Sequence, residues 1–198
     1  MRTLIAAAVL AVLAAPAAWA ASEDEYRYVG ASGGWFHPLN ESTGNLQTTV
    51  ARDAGPELHG AIGYQYKAFR AEAEGDWFYG GAGTHGDSQT GALMVNGYYD
   101  FDTGGPFVPY VGGGGGLAYV TFNGVSAPPL GRIDDTDVEL AWQVLAGIGY
   151  RMNKDLTLYG GYRWFDVNNV TMHNQAGVRV KLDGFGSHNL EIGFRYRL

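Results

Sequence analysis

The segment His188 to Leu198, HNLEIGFRYRL, alternates without a break. Leu190, Ile192, Phe194, Tyr196 and Leu198 fall on one face, and Asn189, Glu191, Gly193, Arg195 and Arg197 on the other. A period of two is the signature of a β-strand with one apolar side. Working back from the C-terminus, the same pattern recurs about eight times, and nowhere after the N-terminal segment is there an apolar run of the ~20 residues a membrane helix needs. A sheet closed on itself, with lipid outside and a polar inside, requires that combination.

The N-terminal segment reads as an export signal. Arg2 supplies the positive end, Leu4 to Ala15 is a short apolar run, and Ala18-Trp19-Ala20 is a small-residue cleavage pattern. This gives a signal peptide over 1–20 and one domain over 21–198. An N-terminal membrane helix is the alternative, and the apolar run is short for it. With no cysteine in an exported chain, closure must come from the sheet itself.

Composition agrees. The 31 glycines, 13 tyrosines, 9 phenylalanines and 5 tryptophans suit tight turns, a crowded interior and interfacial girdles. A mean hydropathy of -0.14 would look soluble, but barrel strands average a polar and an apolar face. The net charge of -7 argues against nucleic acid, which calls for a basic footprint.

The alternation lays out eight strands, over 27–36, 57–66, 69–79, 89–99, 107–122, 137–151, 156–165 and 187–198. The third is the cleanest. Phe69, Ala71, Ala73, Gly75, Trp77 and Tyr79 share one face, and Arg70, Glu72, Glu74 and Asp76 the other. The links at 67–68, 101–106 and 152–155 are short; those at 37–56, 80–88, 123–136 and 166–186 are mostly longer and polar. The expected fold is all-β: an eight-stranded antiparallel up-and-down transmembrane β-barrel with tight periplasmic turns, long external loops and both termini periplasmic. Trp77, Tyr79, Tyr98, Tyr99, Tyr150, Tyr162, Trp164 and Tyr196 lie near strand ends and are expected to form the two interfacial belts. A soluble barrel with its apolar side inward is the competing reading.

Several local patterns then match a known family. They are Asn96-Gly-Tyr-Tyr-Asp-Phe101, Val108-Pro-Tyr-Val-Gly112 with its glycine run, Leu117-Ala-Tyr119, Ala146-Gly-Ile-Gly-Tyr-Arg151, Gly161-Tyr-Arg-Trp-Phe165 and His188 to Tyr196. Together they resemble the small porin-family surface-antigen barrels of the Gram-negative outer membrane, related to the OmpA membrane domain and the opacity proteins. The resemblance implies an eight-stranded outer-membrane barrel and no single function. It implies as partners the membrane's lipid and lipopolysaccharide, the barrel-assembly machinery through the C-terminal strand, and a host or cell-surface ligand on the long loops. Such barrels usually end in an aromatic residue; this chain ends in Leu198, with Phe194 and Tyr196 at alternate positions.

The inward face should carry Arg70, Glu72, Glu74, Asp76, Glu139, Arg151, Arg163, Glu191 and Arg195, together with Glu57, His59, Gln65, Gln143 and Arg197. Buried charges cost several kcal/mol unless paired, so the third-strand ladder should be neutralised by arginines of other strands. Removing Glu72 is then expected to leave a guanidinium unpaired. A salt-bridged plug and a narrow polar path for ions or small solutes both remain open. A structural, surface-exposed envelope role leads, with a porin-like channel as the alternative.

Catalysis, cofactors and metals find no pattern. Gly112–Gly116 is followed by no Lys-Ser or Lys-Thr, and it lies inside a predicted strand, where glycine makes room for neighbouring bulk. Ser187 and His188 are adjacent and should point to opposite faces. His173 to Gly177 shares part of the His-x-Ser-Asn-Ala-Gly run of a lipid A deacylase but lacks its serine. The five histidines have no metal spacing. Asp134, Asp135 and Asp137 form either a solvated acidic loop or a loose divalent-cation site.

Overall fold

The computed structural model describes residues 25–39, 41–43, 49–50, 52–82, 86–127, 131–168, 170–173, 179–183 and 185–198. The expected signal peptide, 1–20, lies outside the described residues. Twelve strands are present among them: β1 (Glu25–Pro38), β2 (Glu41–Thr43), β3 (Thr49–Val50), β4 (Gly55–Tyr66), β5 (Phe69–Gly81), β6 (Asp87–Asp100), β7 (Phe107–Ala127), β8 (Gly131–Arg151), β9 (Leu156–Val167), β10 (Val170–His173), β11 (Arg179–Asp183) and β12 (Phe185–Arg197).

Eight of them close a barrel in the order β1-β12-β9-β8-β7-β6-β5-β4, every pair antiparallel and β4 returning to β1. The order is that of the chain, so the connections are hairpins. Closure removes the unpaired edges that a membrane-spanning sheet cannot tolerate. The three short turns share one end with the start of β1 and the end of β12: Glu25 pairs with Tyr66, and Tyr28 with Arg197.

Local chemistry fixes these turns. Tyr66 and Phe69 flank a two-residue link in which Lys67 takes a left-handed φ of 53°. The amide of Gln65 donates to the Lys67 carbonyl at 2.6 Å, bracing that strained residue. In the second turn Asp102 Oδ1 accepts the Gly104 N–H, with Gly104 at φ 69°. In the third, Asn153 Oδ1 accepts from the N–H groups of Asp155 and Leu156. Asn and Asp side chains close turns this way because they mimic a backbone acceptor.

The long-loop end differs from expectation. The link foreseen at 123–136 is mostly strand, because β7 and β8 stay paired out to Ala127 and Gly131. A register shift between Phe122 and Val125, with Gly124 at φ 66°, absorbs an irregularity that would otherwise end the ladder. Segments of the links at 37–56 and 166–186 pair with each other in a small sheet ordered β10-β11-β2-β3.

Face assignment follows the alternation. Val95, Leu190 and Ile192 are 69%, 67% and 76% exposed on the outside. The apolar outer band is rimmed by aromatics at both ends: Trp35, Trp77, Trp142 and Tyr162 towards the loops, and Tyr66, Phe69, Tyr99, Phe107, Tyr150 and Tyr196 towards the turns. Rings there sit half in hydrocarbon and half in headgroups. Tyr98 departs from the expected belt. It is buried inside the barrel, since its even number puts it on the inward face of β6.

Candidate functional site

The lumen is the candidate site, and it is stratified along the barrel axis. At the short-turn end an open vestibule of about 620 Å³ includes Tyr26, Asp102, Arg151, Lys154, Asp155, Arg195 and Arg197 in its lining.

Beneath it lies a floor of tyrosine and arginine. Tyr28, Tyr98, Tyr110 and Tyr159 each face a glycine on a neighbouring strand: Gly63, Gly112, Gly147 and Gly193. A Cβ at any of these glycines would collide with the ring lying over it. The glycine run of β7 therefore has a spatial cause. Its inward members Gly112, Gly114 and Gly116 leave room for Tyr98, Asn96 and Met94 of β6. Arg70 stacks on Tyr98, 4.1 Å from the ring centre, and reaches Tyr110 at 5.2 Å. Arg195 lies over Tyr110 and Tyr159 at 5.7 and 5.4 Å. Guanidinium planes suit such stacking.

Two charge groups hold the middle. In the first, Arg70 Nε donates to both oxygens of Asp100 at 3.0 and 2.9 Å, and its Nη1 donates to Glu72 Oε1 at 2.6 Å. The Tyr28 hydroxyl also donates to Glu72 Oε1. In the second, Arg163 is central and 1% exposed. Its Nη1 donates to Glu74 Oε1 and Gln143 Oε1 at 2.9 Å each, and its Nη2 to Glu74 Oε2 at 3.1 Å and Glu191 Oε2 at 3.0 Å. Asp76 lies 3.5 Å from Nη1. Gln143 and Asn96 amides donate to Glu74 Oε1 as well, and Gln143 donates to Asn96 Oδ1. The planar fork grips two carboxylates at once, the geometry that makes arginine the cation of choice here.

His59 caps this group. Its Nδ1 is 2.8 Å from Asp76 Oδ1, and its Nε2 is 3.6 Å from Glu57 Oε2 and 3.8 Å from Glu191 Oε2. Glu57 also accepts from the Asn189 amide at 2.7 Å. Among the described residues six buried carboxylates (Glu57, Glu72, Glu74, Asp76, Asp100 and Glu191) face two buried guanidiniums and this one imidazole. The imidazole stands where the acidic excess is densest.

Above it the lumen turns apolar. Phe36, Phe78, Phe165, Phe185, Phe122, Val120, Met94 and Val167 fill the loop end. Phe78 lies 5.8 Å from Phe36 and 5.0 Å from Phe165, ring centre to ring centre. Two further cavities within the barrel hold about 10 Å³ each, roughly the space of a single water.

Of the residues expected inside, the structure brings Arg70, Glu72, Glu74, Asp76, Arg163 and Glu191 into these two groups. Three stand apart. Glu139 faces inward on β8 but opposite Ala118, above the charged level. Arg151 is exposed at the vestibule rim. Arg195 rests on tyrosine rings and makes no ion pair among the described residues. Sequence reading assigns no place to Tyr28, Tyr110 and Tyr159 of the floor or to the phenylalanine cap, and it puts Tyr98 in the girdle. The signal was there in parity, because Phe78 and Phe165 continue the inward series of Asp76 and Arg163.

Other candidates resolve simply. Ser187 is buried inward while His188 faces out, its Nδ1 against the Tyr162 hydroxyl. Asp135 accepts the Thr136 N–H, and Asp137 those of Val138 and Thr171; the side chains of Asp134 and His173 lie outside the described residues. Among the described residues no group of three or more His, Asp or Glu is placed to hold a metal ion.

A closed eight-stranded barrel with an apolar girdled wall and a polar, tightly paired interior defines a transmembrane barrel of the bacterial outer membrane. The family model of the outer membrane protein beta-barrel domain matches residues 5–197, and the chain belongs to that family. It is 29% identical over 128 residues to an uncharacterized protein of Brucella abortus (strain 2308), covering 52% of this chain and 45% of that protein. It is 30% identical over 83 residues to outer membrane protein PagN of Salmonella typhimurium, covering 40% of this chain and 35% of PagN. The chain thus spans less than half the length of these relatives. Among solved structures, Neisserial surface protein A superposes with a TM-score of 0.65 at 20% identity, covering 91% of this chain and all of that one. At that identity the likeness speaks to the fold alone.

Proposed function

We propose that this protein is a structural barrel of the cell envelope that presents its long-loop end at the cell surface and does not conduct. The observation that carries this reading is the layering of the lumen. A solute entering the vestibule meets a tyrosine–arginine floor, then paired charges, then packed phenylalanines. An eight-stranded barrel leaves space for side chains and little else. The interior charges act as a plug that ties β4, β5, β6, β8, β9 and β12 together.

The short turns and both chain ends face the periplasm in this reading, and the long β7–β8 hairpin and the small sheet face outward. The girdles meet lipid and lipopolysaccharide, the loop end meets a host or cell-surface ligand, and the C-terminal strand, with Phe194 and Tyr196 facing out, is read by the assembly machinery.

Planar-bilayer recording of the refolded protein tests the plug. Only sporadic, unresolved current is expected; steady unitary channels would support the porin alternative. Orientation is tested by single cysteines at Ser126 and Asp102, probed on intact cells with a membrane-impermeant maleimide. Ser126→Cys should label and Asp102→Cys should not.

A further inference from the structure

The vestibule reverses the charge of the protein. The chain as a whole carries -7, yet this cavity is lined by Arg151, Lys154, Arg195 and Arg197. Of the carboxylates around it, Asp100 is already engaged by Arg70 and Gln65. Asp102 and Asp155 remain at the exposed rim. Lys67 contributes little, because its ammonium lies 5.4 Å over Tyr66, whose ring is on the outer wall.

Arg195 is the telling residue. It is half-buried at the foot of the cavity, held over the Tyr110 and Tyr159 rings, and forms no ion pair among the described residues. Its plane is positioned by stacking while its N–H donors stay available. A planar donor fork is matched by two oxygens of one carboxylate or phosphate and not by a spherical halide. Arg197, placed over Tyr26 at 4.6 Å, and Arg151 stand around the same space. The cavity's 620 Å³ falls within the ordinary range of small-molecule sites.

We propose that the vestibule is a binding site for small oxyanions, solutes bearing phosphate or carboxylate groups, with Arg195 as its floor and Arg151 and Lys154 at its rim. The site requires only the geometry of this cavity and is independent of which way the barrel faces.

The test is an NMR titration of ¹⁵N-labelled protein refolded in zwitterionic micelles, with sodium pyrophosphate and sodium citrate as separate probes and sodium chloride at matched ionic strength as control. Saturable shifts are expected at the Arg195 side-chain Nε–H and at the backbone amides of Val108, Gly149 and Thr157, with chloride producing none. Saturation by pyrophosphate alone assigns the site to phosphates, and by citrate alone to carboxylates. Arg195→Gln should weaken binding about tenfold, as expected for loss of one charge-assisted pair. Non-saturating shifts that match chloride, or a folded Arg195→Gln protein that binds like the parent, would overturn the proposal. Folding is checked by heat-modifiable gel migration. Should Arg195→Gln not fold, the exposed double variant Arg151→Gln/Lys154→Gln serves instead: several-fold weaker binding supports the site, and unchanged binding overturns it.

Discussion

One step of alternation separates Asp76 from Phe78 on β5, and Arg163 from Phe165 on β9. Across that step the lumen changes from charge to hydrocarbon. Both levels use inward positions of the same strands, and both are sealed from solvent. They are held in different ways. The charged level depends on direction: Arg163 must aim two nitrogens at Glu74, one of them also at Gln143, and the other at Glu191. The phenylalanine level depends on volume, and a ring can shift and still fill space. The charged level therefore fixes which strands lie where, while the apolar level blocks the bore above it. Substitutions should separate these roles by size of effect.

The largest effect is expected at Arg163. Arg163→Met keeps the bulk but leaves Glu74 and Glu191 without their guanidinium in a dry interior, and Asp76 with His59 alone. Loss of one partner of a buried ion pair costs roughly 3–5 kcal/mol. Urea titration of the barrel folded into lipid vesicles, read by tryptophan fluorescence, measures it. A change below 1 kcal/mol would mean that the charged level is hydrated and contributes little to stability.

The outer wall supplies the next effect and a control on which side is which. Ala73 lies between Glu72 and Glu74 in sequence but faces out, paired with Ile62 and Val95. Ala73→Arg should cost about 2–4 kcal/mol by placing a charge in lipid near the midplane. If it were harmless, the inside and outside of the barrel would have to be exchanged.

Glu72 is expected to matter less than its place in the sequence suggests. Alternation alone makes it one rung of a ladder awaiting arginines from other strands, so its removal looks as costly as any. In the structure its cation is Arg70, two residues away on the same strand, and Arg70 keeps both oxygens of Asp100 when Glu72 is gone. Glu72→Ala should then cost about 1.5–3 kcal/mol, the range for losing a hydrogen bond to a charged group. A loss equal to that of Arg163→Met would show that the two charge groups act as one.

The contrast between Glu72 and Glu74 marks how far sequence carries here. Period-two alternation places each side chain inside or out, because a strand has only two faces; it places Glu72 inside, and the same parity, carried one step past the charged ladder, holds for Phe78. It cannot say which rung meets which partner. Pairing depends on the register between strands and on reach across the bore, and neither leaves a trace in the spacing along one strand. Arg195 shows the same limit. Its parity puts it inside, but only the stagger of β12 against β9 seats it on Tyr159 and not beside a carboxylate. Tyr98 shows a different one: an aromatic near a strand end fits a girdle by composition, whereas its even position on β6 and the glycine opposite it on β7 put its ring inside. The outer part of the β7–β8 hairpin, 123–136, looks like a loop in the sequence because polar residues interrupt its apolar face, whereas backbone pairing continues there without apolar side chains once it is nucleated below.

The smallest effect is expected in the phenylalanine level. Phe78 touches Phe36, Phe165 and the His59 ring, the last at 5.5 Å. Phe78→Leu keeps most of the volume and removes the edge-to-face contacts, so a cost below about 1.5 kcal/mol is expected, with no opening of the bore. The same urea titration reads the stability, and bilayer recording reads the bore. Should Phe78→Leu instead destabilise as strongly as Arg163→Met, the apolar level would be as direction-dependent as the charged one. The physical cause would then be the ring edge of Phe78 against His59, through which the cap would help orient the imidazole among Asp76, Glu57 and Glu191. A double-mutant cycle of Phe78→Leu with His59→Gln decides it, since additive losses would leave the two levels independent and a coupling near 1 kcal/mol would join them.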